Sequence, residues 1–180
     1  ATGLVQHRQR WLPRLRQRGL RTGRNFFMQD DCTLDAWHCA HIEIGDDVSF
    51  GPRVTVLAHD ASPQRALGAT RIAPVRIGDR VFVGAGAIIL PGVSIGSDCI
   101  IGAGSVVSRS IPAGSLAYGN PATVQGSSSD YLARQQALLA TSPRFSLADT
   151  AGGGASPARI AESRTRLGEG PGFILSRPEP

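Results

Sequence analysis

The chain has 180 residues, 41% of them hydrophobic, enough for one core but hardly two, so a single domain with decorated ends is expected. Its 22 glycines and 12 prolines, the absence of lysine and an aromatic share of 6% exclude a helical bundle, and its valine and isoleucine content excludes a wholly disordered chain. The formal charge of +5 is concentrated at the start: residues 1–24 hold seven arginines and no acid, leaving twelve arginines against fourteen acids, so no basic face for nucleic acid is expected.

Residues 1–29 read as a basic N-terminal extension outside any repeat. It is expected to be solvated and partly disordered; packing on a neighbouring subunit, or peripheral membrane contact through attraction to an anionic bilayer, are the alternatives. Pro13 and the charges interrupt any leader-like apolar run, and no stretch approaches 18 apolar residues, so no secretion signal or spanning helix is expected. Cys32, Cys39 and Cys99 lack paired spacing, which argues against a disulfide framework and a zinc site and fits a reducing, cytoplasmic setting.

The stretches DDCTLD and AWHCAH read as degenerate coils that start a repeat array. The array becomes plain in IGDDVS and FGPRVT, with Ile44, Phe50 and Val56 in the first column and Val48 and Val54 in the fifth. Between Val56 and Ile77 the pattern lapses, leaving a loop (58–74) of the kind that commonly carries function. From Ile77 it resumes as IGDRVF, VGAGAI, ILPGVS, IGSDCI, IGAGSV and VSRSIP. Ile77, Val83, Ile89, Ile95, Ile101 and Val107 form column one; Val81, Ala87, Val93, Cys99, Ser105 and Ile111 form column five.

A period of six is neither helical nor a plain alternation, so each unit is a short strand plus a corner, and three units close one triangular coil. Columns one and five are expected to point inward. Glycine at column two (Gly45, Gly51, Gly78, Gly84, Gly96, Gly102) is expected to serve tight or left-handed turns. Stacked coils make every strand parallel, which is an all-β parallel β-helix; a β-sandwich would space its strands by 8–12 residues.

After IPAGSLAYGNPATV closes the array, GSSS (126–129) reads as a flexible link. A helix DYLARQQALLA follows, with Asp130 as N-cap and Tyr131, Leu132, Leu138 and Leu139 as a partial apolar stripe. Residues 141–172 read as largely irregular, with a second short helix in SPARIAESRTRLG capped by Ser156 and Pro157 in its first turn, and GFIL as a late apolar tether. The chain thus divides into an extension (1–29), a β-helix (30–124) and a C-terminal helix with an irregular tail (125–180).

The stretch 73–124, with PGVSIG, IGAGSVV and GNPA, resembles the C-terminal coils of the maltose, galactoside and capsular-polysaccharide O-acetyltransferases of the hexapeptide-repeat superfamily. With VTVLAHDAS the resemblance spans residues 30–124. It implies a left-handed helix, which periodicity alone does not provide, and a homotrimer with active sites between subunits. It also implies acetyl-CoA as co-substrate and acetyl transfer to a sugar or glycoconjugate hydroxyl. Related β-helices acetylate streptogramin-type antibiotics, serine or amino sugars. A γ-carbonic anhydrase-like zinc enzyme would need histidines along successive coils, and none follows His59. A non-catalytic scaffold is the remaining alternative.

His59 opens the loop and stands where the family places its general base; a free imidazole titrates near 6.5 and can take a hydroxyl proton. Its second nitrogen needs an acceptor, and a backbone carbonyl or a carboxylate of the starting coils such as Asp35 is expected to provide it. His7, His38 and His41 are assigned no chemistry, and no metal is expected. The resemblance assigns Ala85, Ala103, Gly104, Ser108, Arg109, Asn120 and Pro121 to the donor, Arg109 being suited to the 3′-phosphate end of CoA. Asp31, Asp60 and Phe82 are assigned to the acceptor side. Phe82 replaces the tryptophan usual in the family, and no basic residue follows GNPA directly.

Overall fold

The computed structural model describes residues 11–176; His7 and the first arginines lie outside the described residues. The chain forms two compact units that divide between Ser129 and Asp130.

In the first unit three strands make each coil. β1 (Arg21–Thr22), β2 (Phe27–Met28) and β3 (Thr33–Leu34) form the first coil, and β4 (Ile42–Ile44), β5 (Ser49–Phe50) and β6 (Thr55–Val56) the second. A hairpin of β7 (His59–Asp60) and β8 (Arg71–Ile72) then leaves the stack. β9 (Val75–Ile77), β10 (Phe82–Val83), β11 (Ile88–Ile89), β12 (Ser94–Ile95), β13 (Ile100–Ile101) and β14 (Val106–Val107) complete two more coils, and β15 (Ser115–Gly119) pairs antiparallel with β16 (Ala122–Ser127) at the far end. Corresponding strands pair in parallel as sheet A (β1-β4-β9-β12), sheet B (β2-β5-β10-β13-β15-β16) and sheet C (β3-β6-β11-β14). This is the expected stack of hexapeptide coils.

The inward columns are as read from the sequence. Ile44, Ile77 and Ile95 stand in register on sheet A, Phe50, Val83 and Ile101 on sheet B, and Val56, Ile89 and Val107 on sheet C, all buried. Each aliphatic side chain so buried contributes about 1.5–3 kcal/mol. Ser105, the polar member of column five, is fully buried, and its hydroxyl donates to the Gly102 carbonyl at 2.7 Å while accepting the Gly119 N–H at 3.2 Å. Ile111 departs from the expected register. It bridges Ile95, a column-one residue, because the last coil is cut short where the Ser110 hydroxyl takes the Ser94 N–H.

The column-two glycines have a different cause from the one expected. The left-handed residues sit at position four of the hexad: Asp47, Arg80 and Asp98 at φ 56°, 54° and 60°, and Gly86 and Gly104 at 68°. At position two the constraint is the next coil. A Cβ on Gly84 would lie 2.5 Å from the Ala103 nitrogen, and one on Gly51 would lie 2.8 Å from the Ala85 nitrogen. Position three adds a ladder along one corner: the Arg24, Asp46 and Asp79 N–H groups donate to Asp46 Oδ1, Asp79 Oδ1 and Ser97 Oγ at 2.7, 2.8 and 3.0 Å.

The basic extension is partly structural. Leu12–Gln17 forms helix α1, with Pro13 in its first turn. Its Leu12 and Leu15, with Leu20, are buried in the same cluster as Phe26, Met28 and Leu34 of the first coil. Leucines at that spacing cover the outer side of the first described coil. All three cysteines are free, and burial pushes the Cys32 and Cys99 thiols up.

The segment 126–129 is not a flexible link. Gly126 and Ser127 end β16, Ser127 opposite Ser115, and the buried Ser128 hydroxyl donates to the Asp98 carbonyl at 2.6 Å. Ser128 begins α3 (Ser128–Thr141), which places Asp130 inside the first turn rather than at the cap. (The four-residue helix α2, Gln64–Leu67, lies in the 58–74 loop.) In the second unit β17 (Arg144–Phe145) pairs with β18 (Phe173–Ile174), and α4 (Pro157–Leu167) is capped by the Ser156 hydroxyl as expected. With a 14-residue and an 11-residue helix, the C-terminal part is more helical than a short extension, because strand pairing by the late apolar tether supplies the order that its composition does not advertise. No helix among the described residues is long and apolar enough to cross a membrane.

Two glycine substitutions separate the two constraints. Gly86→Ala has open space for its Cβ and should cost about 1–2 kcal/mol for its left-handed backbone. Gly84→Ala meets backbone and should cost about 3 kcal/mol or more, so thermal melts should place it well below Gly86→Ala.

Candidate active site

β3 and β6 are in register, Thr33 opposite Thr55 and Leu34 opposite Val56. The two segments that interrupt the repeat, 35–41 and 57–74, therefore leave the stack at the same corner, one coil apart. The first passes through a 3₁₀ turn at Cys39–His41, anchored by the buried Cys39. The second is the hairpin in which His59 lies opposite Ile72 and Asp60 opposite Arg71, closed by the Ala73 N–H donating to the Ala58 carbonyl at 3.0 Å.

Asp35 is the hub between them. It is 4% exposed, and its carboxylate collects donors from both segments. Oδ1 accepts the His38 N–H at 3.1 Å and faces His38 Nδ1 at 3.3 Å; Oδ2 accepts the Ala58 N–H at 3.1 Å and is bonded to His59 Nδ1. Burial pushes the Asp35 carboxyl upward, but the bonds from His59, Ala58 and His38 outweigh it and hold it below the usual carboxylate range. Asp35 is thus an anion wherever a histidine titrates. With Nδ1 carrying the proton toward Asp35, Nε2 is left as the basic nitrogen of the one-third exposed His59.

The acceptor expected for His59 is therefore Asp35. His38 was assigned no chemistry, yet its ring packs against that of His59 with centroids 4.7 Å apart. The Asp35–x–x–His38 spacing was the available signal, since a bend after a strand returns residue i+3 to residue i. Two imidazoles and a carboxylate within 4.8 Å of one another are also a set that a transition ion could use. Here the carboxylate oxygens are already engaged by backbone and ring N–H groups, as in an acid–base cluster.

Asp60 lies beside His59 but is turned into the hairpin: Oδ1 accepts the Ser62 N–H at 2.9 Å and Oδ2 is 3.9 Å from Arg71 Nε. The Ser62 N–H, followed by its hydroxyl, holds the Asp60 carboxyl below its ordinary value. Asp31 is an exposed corner residue with φ 59°. Phe82 faces outward on sheet B, 48% exposed. Ala85 and Ala103 stack at the corner between sheets B and C, where the Gly104 N–H donates to the Ala85 carbonyl at 2.8 Å. Ser108 and Arg109 follow β14, on the corner from which Asp35 and His59 depart. β14 is two strands from β6 in sheet C, about 10 Å away. Asn120 and Pro121 form the exposed turn between β15 and β16 and are joined by a cis peptide bond. The residues assigned to the donor thus border both edges of sheet C.

A family model described as the hexapeptide repeat of succinyl-transferase matches residues 74–109. The chain is 46% identical over 107 residues to nodulation protein L of Rhizobium meliloti (strain 1021), covering 58% of this chain and 57% of that protein. It also resembles the crystal structure of a maltose O-acetyltransferase from Clostridium difficile 630, with TM-score 0.53, 43% identity and coverage of 59% and 57%. A hexapeptide-repeat acetyltransferase of Vibrio cholerae O1 biovar eltor, crystallised with acetyl coenzyme A, matches with TM-score 0.55, 30% identity and coverage of 61% and 60%. The chain spans little more than half the length of these relatives. In its coils, its register and the stretches shared with these relatives, the chain is similar to hexapeptide-repeat acyltransferases, among them a maltose O-acetyltransferase.

Proposed function

We propose that the protein is an acetyl-CoA-dependent O-acetyltransferase that acts on a hydroxyl of a sugar or glycoconjugate precursor. The Asp35–His59 pair carries this reading. A hydroxyl is a poor nucleophile at neutral pH, and an imidazole with one nitrogen fixed by a buried anion and the other left basic is the base it needs. His59 Nε2 takes the hydroxyl proton as the oxygen bonds to the thioester carbonyl carbon. The carbon–sulfur bond then breaks, and the imidazolium, stabilised by Asp35, returns the proton to the leaving thiolate. The names of the relatives support acetyl-CoA as donor and a sugar as acceptor.

Ala85, Ala103, Gly104, Ser108 and Arg109, with Asn120 and Pro121, are the residues we assign to the donor, along the edges of sheet C. Arg109 supplies a guanidinium for phosphate. Asp31, Asp60 and Phe82 are assigned to the acceptor side. The coil is taken as left-handed and the assembly as a homotrimer whose neighbouring subunit completes each cleft. The outward row Phe27, Ser49, Phe82, Ile100 and Leu116 along sheet B supports such packing, because its two phenylalanines are 40% and 48% exposed in the single chain. A cytoplasmic setting fits the three free thiols.

His59→Ala should fold and bind CoA but lose about 10²–10⁴-fold in turnover. In the wild type the rate should rise with pH as the imidazole loses its proton, in a single limb, because Asp35 is already ionised; steady-state rates across pH check this. Asp35→Asn should also be slow, since the imidazolium formed during transfer has lost its anion. Sedimentation should give three times the chain mass; an active monomer would contradict the shared cleft.

A further inference from the structure

We propose that Trp37 is the platform on which the acceptor's sugar ring rests, which makes it a specificity-determining residue of this site. This inference rests on the sugar O-acetyltransferase reading above. Trp37 is 86% exposed, the most exposed large apolar side chain among those described. A solvated indole forfeits the burial that usually justifies its size, so its placement calls for an occupant.

Its backbone is held on both sides. Asp35, two residues before it, is buried and accepts the N–H of His38, the residue after it. Cys39 is 1% exposed, with its sulfur directed at the Leu15 and Arg18 carbonyls at 3.7 and 3.6 Å. The His41 N–H closes the turn onto the His38 carbonyl at 3.0 Å. The indole therefore projects from a fixed turn, as a preformed contact should.

That turn is part of the catalytic corner. The Cα atom of Trp37 is one peptide, about 3.8 Å, from that of His38, whose ring packs on His59. Next to His59 in the hairpin stand hydrogen-bonding groups, the carboxylate of Asp60 and the guanidinium of Arg71 opposite it, 39% and 53% exposed. A pyranose has the complementary surface. The C–H bonds on one face are electropositive and suit the negative face of an aromatic ring, and its hydroxyl rim needs charged or amide partners. An aromatic face beside His38 and a polar hairpin beside His59 would together hold such a ring with one hydroxyl presented to His59 Nε2.

The experiment compares acetyl transfer to maltose and to glycerol, which has hydroxyls but no ring, by wild type, Trp37→Ala and Trp37→Phe at saturating acetyl-CoA. The expected result is a fall on the order of tenfold in the maltose-to-glycerol ratio of kcat/KM for Trp37→Ala. The loss should appear in the maltose KM, with the pH limb where it was, and Trp37→Phe should recover most of it. An unchanged ratio overturns the proposal, as does dissociation of Trp37→Ala in sedimentation, which would make the indole an assembly contact. If wild type acetylates glycerol but neither maltose nor N-acetylglucosamine, the sugar reading fails along with the platform. If it acetylates nothing, the transferase reading itself fails.

Discussion

The close approach of one coil to the next governs the molecule. Successive strands lie about 4.8 Å apart, so wherever the chain turns a corner its backbone runs against the backbone of the neighbouring coil. Gly84 over Ala103 shows the limit: no side chain fits between them. The same spacing brings Asp46 and Asp79 side chains within reach of the N–H groups of the preceding coil, and it stacks Ile44, Ile77 and Ile95 into a continuous apolar column. Core, corner ladder and glycine pattern are consequences of one repeat distance.

The site follows from that regularity by interruption. Because β3 and β6 are held in register, two segments that abandon the hexad after them must emerge side by side. One brings a buried carboxylate and the other an imidazole. The carboxylate is affordable at that depth because Ala58 and His38 donate backbone N–H groups to it before any imidazole is counted. A rigid stack thus supplies a fixed acceptor, and the more exposed hairpin supplies the imidazole bonded to it.

Charge is distributed to match. The ion pairs Arg24–Asp46 and Arg80–Asp98 line an exposed corner at 2.7 and 2.6 Å, where solvent leaves them worth little. Sheet A faces outward with Arg21 and Arg76 both paired to Glu43 between them. Sheet B presents apolar side chains instead, so the three faces of the prism differ in the partners they suit.

The hexad was legible without coordinates because a six-residue period in aliphatic and small residues has one economical solution, and the inward columns follow it down to the buried Ser105. His59 stood out as the histidine where the period breaks, and its proposed role came from the family resemblance rather than from the period. The role of position-two glycine was not, since a clash with the next coil is invisible along a single strand. The shortened last coil, the ordering of 126–129 by strand pairing and the helix over the first coil likewise depend on partners distant in sequence. So does the site's second half: Asp35 was one acceptor among several until pairing between coils placed it under His59, and His38 joined it because a turn returned the chain to the same carboxylate. Periodicity in the sequence determines which residues face the core; only the stacked structure decides which loops meet outside it, because that depends on register between coils and not on any order along the chain.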